Sequence, residues 1–299
     1  RHLSKTPAPV TVPGAQQTLS AVELPPPDYI VFTPPPRAPP VYAKNILLLD
    51  ADNGDVVYGQ KIDDPIPVAS TTKMVTALTV VRKMKLDTVT TISKRPPTVQ
   101  GSKINLRAGE EITIGDLLKG LLISSGNDAA FALAEAYSGK EGDYQPFIDE
   151  MNAFVRVHNL TVSKFFDPAG LDDERGRSTA RELAHIARLV VADSTLRSII
   201  MTPRTAVSST DGTIVHELKN TNRLIQSDTI YYLPNALGVK TGFTHDAGHC
   251  LVAAYMFGEK TLIGVVMNTA EYTTTASANE MRKLSLWAEK HTSLRQYRY

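Results

Sequence analysis

β-forming residues fill Ile46 to Asp50 and Val56 to Gln60, and Asp52-Asn53-Gly54 joins them. That turn tolerates positive φ, so the pattern predicts a hairpin. From Ser70 to Lys85 the period changes: Met74, Leu78, Val81 and Met84 recur at helical spacing, which predicts a mostly buried helix. Further helices are expected over Asp116 to Leu122, ending near Ser124, and over Asp128 to Tyr137, closed by Ser138-Gly139. Phe147 to Val157 and Thr179 to Val191 repeat the same period. Strand signals return at Gly238 to Thr244, Cys250 to Phe257 and Thr261 to Met267, the last two separated by Gly258-Glu259-Lys260 as a second hairpin. A last helix is expected from about Ala278 to Lys290 around Trp287. Strands at both ends with helices between them predict one mixed α/β unit whose sheet is closed by distant parts of the chain.

Proline changes the picture at the start, since 11 of the 19 lie within residues 1–40. That stretch is neither helix nor central strand. It is expected either to reach away as a spacer or to pack as an extended arm through Tyr29, Ile30, Val31 and Phe32. The remaining composition excludes more than it suggests. Across 299 residues, 32 Lys plus Arg balance 31 Asp plus Glu, so no strong field draws in nucleic acid or an anionic membrane. The single cysteine, Cys250, rules out a disulfide framework, a Cys-rich zinc site and an iron-sulfur cluster, and its apolar strand predicts a buried, inert thiol. No apolar run approaches the roughly 18 residues of a membrane span. The chain begins at Arg1 rather than Met, which leaves room for a removed export signal or anchor.

Three short strings carry candidate chemistry: Ser70-Thr71-Thr72-Lys73, Ser125-Gly126-Asn127 and Lys240-Thr241-Gly242. Ser70 and Lys73 share a face of the first helical turn, so they can touch. A serine hydroxyl is a weak nucleophile until a base takes its proton, and an amine does so only when neutral. Burial, a second cation such as Lys240 and a helix N-terminus are the means expected to discharge Lys73. Gly242, without a Cβ, is expected to let a substrate lie against the strand that carries Lys240. By chance the three strings would occur in this order in about one chain in a hundred, so a helix cap and two surface lysines explain them poorly.

Together they resemble the three motifs of the penicillin-recognising serine enzymes. The longer strings Gly120 to Ala130, Phe166-Asp167-Pro168-Ala169-Gly170-Leu171, Ser178 to Ala184 and Gly238 to Thr244 are similar to those of the low-molecular-mass D-alanyl-D-alanine carboxypeptidases. The resemblance covers about Val41 to Lys290. It implies a β-lactamase/transpeptidase-like fold, an antiparallel sheet flanked by helices plus a mainly helical subdomain. The chain divides accordingly into an arm at 1–40 and a peptidase domain at 41–299, with the sheet from 41–70 and 235–299 and the helical part from about 71–200. The implied activity removes the terminal D-alanine from peptidoglycan stem peptides through an acyl-enzyme, with β-lactams as covalent inhibitors. Ser70 would be the nucleophile, Lys73 the general base and Ser125 a proton relay. Asn127 would hold the substrate amide, Lys240, Thr241 and Gly242 the end that bears the carboxylate, and the backbone N–H groups of Ser70 and Phe243 the oxyanion. Neither cofactor nor metal is implied, and the setting is extracytoplasmic. Relatives often add a β-rich domain and a C-terminal amphipathic helix, whereas this chain ends at Tyr299 soon after the Trp287 helix, so any tether is expected at the N-terminus.

An endopeptidase acting on peptidoglycan cross-links would use the same residues, and a non-catalytic β-lactam or peptidoglycan sensor would keep the fold. A β-lactamase is disfavoured because no glutamate presents itself for deacylation. His245 and His249 have the spacing of a helical metal pair but sit among Gly242, Asp246 and Gly248, in turn sequence. His158, His185 and His216 read as ordinary surface or core residues.

Overall fold

Strand β2 (Ala43–Asp50) directs Ile46 and Leu48 to one side and Leu47 and Leu49 to the other, and all four are buried. A strand that is apolar on both faces must be covered twice, which accounts for its uninterrupted apolar run. The computed structural model describes residues 29–32, 38–269, 273–290 and 292–295. In it β2 forms the expected hairpin with β3 (Val56–Gln60) and pairs on its other edge with β10 (Lys260–Thr269), Ile46 lying opposite Val266. Strands β9 (Gly248–Phe257) and β8 (Ala236–Thr244) extend the sheet, giving the antiparallel order β3-β2-β10-β9-β8. One face is covered by helix α7 (Ala276–Lys290), whose Ala278, Met281 and Leu284 meet Ile46, Leu48 and Val266. On the other face Leu47, Leu49, Val252 and Val265 join a core shared with α1 (Lys73–Lys83) and α5 (Ala180–Ala192).

The helical part adds α2 (Ile114–Ile123), α3 (Asn127–Ser138), α4 (Gln145–Val157) and α6 (Ser194–Ile200). Thr113 and Thr179 cap α2 and α5 by accepting from Asp116 N and Glu182 N, and Gly139 ends α3 at φ 68°. Two small hairpins flank it, β4 (Val89–Thr91) with β5 (Glu111–Thr113), and β6 (Arg204–Ser208) with β7 (Val215–Lys219).

This is the mixed α/β unit that the pattern predicts, with the antiparallel sheet that the resemblance implies. The helix expected over Ser70 to Lys85 differs at both ends: a 3-10 turn, Ala69–Thr72, precedes α1, and Met84 is already extended. The small hairpins and α6 were not anticipated, because strands of three to five residues with polar partners carry too little periodicity. Most of the expected arm at 1–40 lies outside the described residues. Its described strand β1 (Tyr29–Phe32) pairs antiparallel with β11 (Thr292–Arg295).

Candidate active site

The edge strand β8 packs against the turn that leads into α1, and the loop before α3 closes the third side. Residues far apart in sequence thereby meet. Lys73 Nζ lies 2.7 Å from each of Ser70 Oγ, Asn127 Oδ1 and the Ala169 carbonyl. Lys240 Nζ donates to Ser125 Oγ and to its neighbour's carbonyl, Thr241 O, both at 2.9 Å. Both lysine side chains are buried. Two non-glycine residues beside these groups adopt left-handed backbone, Ala69 at φ 47° and Ser125 at φ 59°, a strain that is tolerated where the surroundings over-determine a site.

Donors and acceptors fix the orientation of the Lys73 amine. Asn127 Nδ2 donates to Gln100 O at 2.6 Å, so Oδ1 is the atom that faces Lys73. Asn127 Oδ1 and Ala169 O can only accept. A neutral amine has two N–H bonds and one lone pair, so the two N–H bonds go to these oxygens and the lone pair is left for Ser70 O–H. Burial lowers Lys73 to about 7, against the opposing pull of Asp167 and Asp128. Near neutral pH this amine can therefore hold its lone pair free. The expected cause needs one correction: burial dominates, and the lysine–lysine repulsion appears instead on Lys240, which burial and then Lys73 push well below its ordinary value.

Gly242 lines the cleft and has a second neighbour that the sequence did not announce. A Cβ there would stand 3.1 Å from Ser70 N and 3.1 Å from Ala69 Cβ. The missing side chain makes room for the Ser70 backbone, seating β8 against that turn.

Several contributors went unassigned in the sequence. The loop Asp167 to Leu171 forms a fourth wall, its Ala169 carbonyl reaching Lys73 and its Pro168 carbonyl accepting from Thr76 Oγ1. Asp167 organises that loop by accepting from the amides of Ala169 and Gly170 at 2.7 Å, while burial pushes its own carboxyl up. Thr221 Oγ1 lies 2.6 Å from Thr241 Oγ1, placing a second hydroxyl beside Lys240-Thr241-Gly242. The Phe166 to Leu171 string carries no signal apart from its resemblance, and Thr221 none beyond its place in a polar run.

The groups open into a cleft of about 1070 Å³ lined by Ser70, Ser125, Asn127, Thr241, Gly242 and Phe243. Every residue assigned to the site lines this cleft or lies directly beneath it. His245 and His249 line its outer part, and His249 stacks on Phe243 at 4.4 Å between ring centroids. Among the described residues no group of three or more His, Cys, Asp or Glu side chains could hold a metal. Cys250 is fully buried and its thiol is pushed up to about 12. The assembly suits acyl transfer: a hydroxyl, a discharged buried amine at its side and a second buried amine on the facing strand.

Comparison with known proteins points the same way. A family model described as D-alanyl-D-alanine carboxypeptidase matches residues 33–271. The D-alanyl-D-alanine carboxypeptidase DacF of Bacillus subtilis is 33% identical over 76% of this chain and 58% of its own length. A D-alanyl-D-alanine endopeptidase of Escherichia coli is 31% identical over 82% of this chain and 77% of its own length. The chain thus spans less than two thirds of some curated relatives, DacF and the Escherichia coli carboxypeptidase DacC among them. The crystal structure of the Streptomyces K15 DD-transpeptidase superposes with a TM-score of 0.76 at 29% identity, covering 84% of this chain and 98% of that one.

Proposed function

Because the chain belongs to the D-alanyl-D-alanine carboxypeptidase family, we propose that it is a serine-type peptidase that releases the terminal D-alanine of peptidoglycan stem peptides. The observation that carries this reading is the 2.7 Å contact between Ser70 Oγ and a fully buried Lys73 whose other neighbours leave only its lone pair for the hydroxyl.

In the proposed reaction Ser70 Oγ bonds to the carbonyl carbon of the penultimate D-alanine while its proton passes to Lys73. The carbonyl oxygen becomes an oxyanion, held by the backbone N–H groups of Ser70 and Phe243, each donor contributing roughly 3 to 4 kcal/mol. Collapse breaks the C–N bond, and a proton relayed through Ser125 leaves with D-alanine. Water then attacks the ester, returns a proton to Ser70 and frees the shortened peptide. Asn127 holds the substrate amide. Lys240 and the Thr241 hydroxyl meet the terminal carboxylate, whose negative charge favours the protonated amine that burial disfavours. A β-lactam enters by the same step, and its tethered leaving group leaves a slow ester.

The test is to incubate the protein with a fluorescent penicillin and, separately, with a pentapeptide ending in D-Ala-D-Ala. Labelling and D-alanine release, both lost in Ser70→Ala, are expected; labelling without release would instead identify a sensor. Lys240→Ala is expected to raise KM at least about tenfold, from loss of a charged hydrogen bond to carboxylate, with the chain still folded. An unchanged KM would remove Lys240 from carboxylate recognition.

A second reading, cleavage of D-amino-acid cross-links, is favoured by the endopeptidases that this chain covers over 82% and 77% of their lengths. A cross-linked muropeptide dimer offered beside the pentapeptide separates the two by which is consumed faster. Such substrates imply a setting outside the cytoplasm, with any anchor expected at the N-terminus. No helix among the described residues is long and apolar enough to cross a membrane. Recovery of the full gene product in the membrane fraction would support the anchor.

A further inference from the structure

A buried histidine outside the cleft grips the strap that lines it. His216 on β7 and Glu110 are both buried, with Nε2 2.6 Å from Glu110 Oε1 and Nδ1 2.9 Å from the Ile104 carbonyl. A carbonyl can only accept, so Nδ1 carries a proton and donates to it. Glu110 is itself held, because its Oε2 accepts from Arg107 N at 2.9 Å. The amide on the other side of Ile104 is also gripped, donating to Asp128 Oδ1 at 3.0 Å, and Leu106 N donates to Asp128 Oδ2 at 3.1 Å. The peptide units flanking one residue are thus held by two buried ionisable side chains, one on β7 and one on the first turn of α3.

Upstream of Ile104 the strap turns through Gly101, φ 86°, and reaches the site. Ser102 O accepts from Asn127 N at 2.7 Å and Gln100 O from Asn127 Nδ2 at 2.6 Å, while Gln100, Gly101 and Ser102 line the cleft. The Gln100 contact sets which end of the Asn127 amide faces Lys73. A Cβ at Gly101 would lie 2.6 Å from Asn127 Nδ2, so the strap lies directly against that side chain.

We propose that His216 is a positioning residue for this site: its ring, steadied by Glu110, pins the Ile104 carbonyl and so holds the strap 100–106 against Asn127. The proposal rests on the reading of the cleft as an acyl-transfer site. Because Asn127 is assigned to hold substrate, while Ala169 O on a separate loop also orients Lys73, loosening the strap acts on KM before kcat.

Two substitutions divide the histidine's bonds. Asparagine can set an N–H where Nδ1 stands and keeps the Ile104 bond, whereas glutamine reaches the Nε2 position and keeps only Glu110. His216→Gln is expected to raise KM for D-alanine release about tenfold with kcat within about threefold, and His216→Asn to stay within about threefold in both. Hydrogen exchange at the Ile104, Leu106 and Asn127 amides is expected to quicken at least about tenfold in His216→Gln alone. Wild-type KM and protection in His216→Gln, or equal impairment in both variants, would overturn the proposal. If neither variant folds, Glu110→Ala keeps the ring but frees it, and is expected to raise KM and strap exchange together; no change in either would be equally decisive. If the wild-type protein neither reacts with penicillin nor releases D-alanine, it is the functional reading that fails, and the exchange measurements still test the strap.

Discussion

Lys73→Met is expected to slow penicillin acylation and D-alanine release by about 10² to 10⁴-fold, the usual contribution of a positioned base. Methionine fills much of the lysine's volume, so the loss belongs to the amine. Stopped-flow acylation of wild type should fall as pH drops through about 7, where the buried amine takes a proton and loses its lone pair. An undiminished acylation rate in the variant would put the base elsewhere. The same shift carries a stability signature. In the folded chain Lys73 titrates near 7, while the unfolded chain keeps the ordinary 10.5. Between these values the unfolded state binds the extra proton, so stability rises with pH across that window. The penalty is fully present below about 7 and gone above 10.5, and amounts to roughly 5 kcal/mol at 1.36 kcal/mol per unit. Lys73→Met should therefore reduce the rise in denaturation midpoint that is expected of wild type from pH 7 to 10.

What the sequence disclosed, and what it withheld, follows from how far each signal reaches. Ser70 and Lys73 lie one turn apart, so their contact is written into a single short string. Ile46 to Leu49 announce a doubly covered strand because both faces are apolar. Lys240 and Ser125 could be matched only by resemblance, since the bond between them spans 115 residues. No local pattern foretold that the Ala169 carbonyl would complete the Lys73 environment, because a backbone oxygen has no residue identity to read. Nor did any pattern foretell His216, whose partners Glu110 and Ile104 come from a loop over a hundred positions earlier. The reason offered for Gly242 was incomplete for a related cause: a missing Cβ shows that something comes close, but only the fold reveals that the Ser70 turn does.

Gly170 poses the sharpest form of that question. It holds φ +80°, and a Cβ there would lie 1.9 Å from the Ala69 carbonyl oxygen and 2.5 Å from its carbon. These are backbone atoms of the residue before the nucleophile, so no rotamer change can relieve the overlap. Gly170→Ala must push the Asp167 to Leu171 loop away from the Ser70 turn or drag that turn with it. Either movement pulls the Ala169 carbonyl or the Ser70 hydroxyl out of register with Lys73, and a misplacement of about 1 Å costs roughly 10²-fold in rate. Acylation is therefore expected to fall at least about 10²-fold, and thermal or urea unfolding to show a loss of about 3 to 5 kcal/mol from left-handed strain plus overpacking. Gly109→Ala is the internal control. Its φ is +85°, but nothing lies within 4 Å of the added methyl, so it keeps the backbone strain and omits the collision. That variant should lose only about 1 kcal/mol and acylate normally. The difference between the two isolates the seating of the loop on the nucleophile turn; if Gly170→Ala proves as mild as Gly109→Ala, the fourth wall does not hold Ser70 in place.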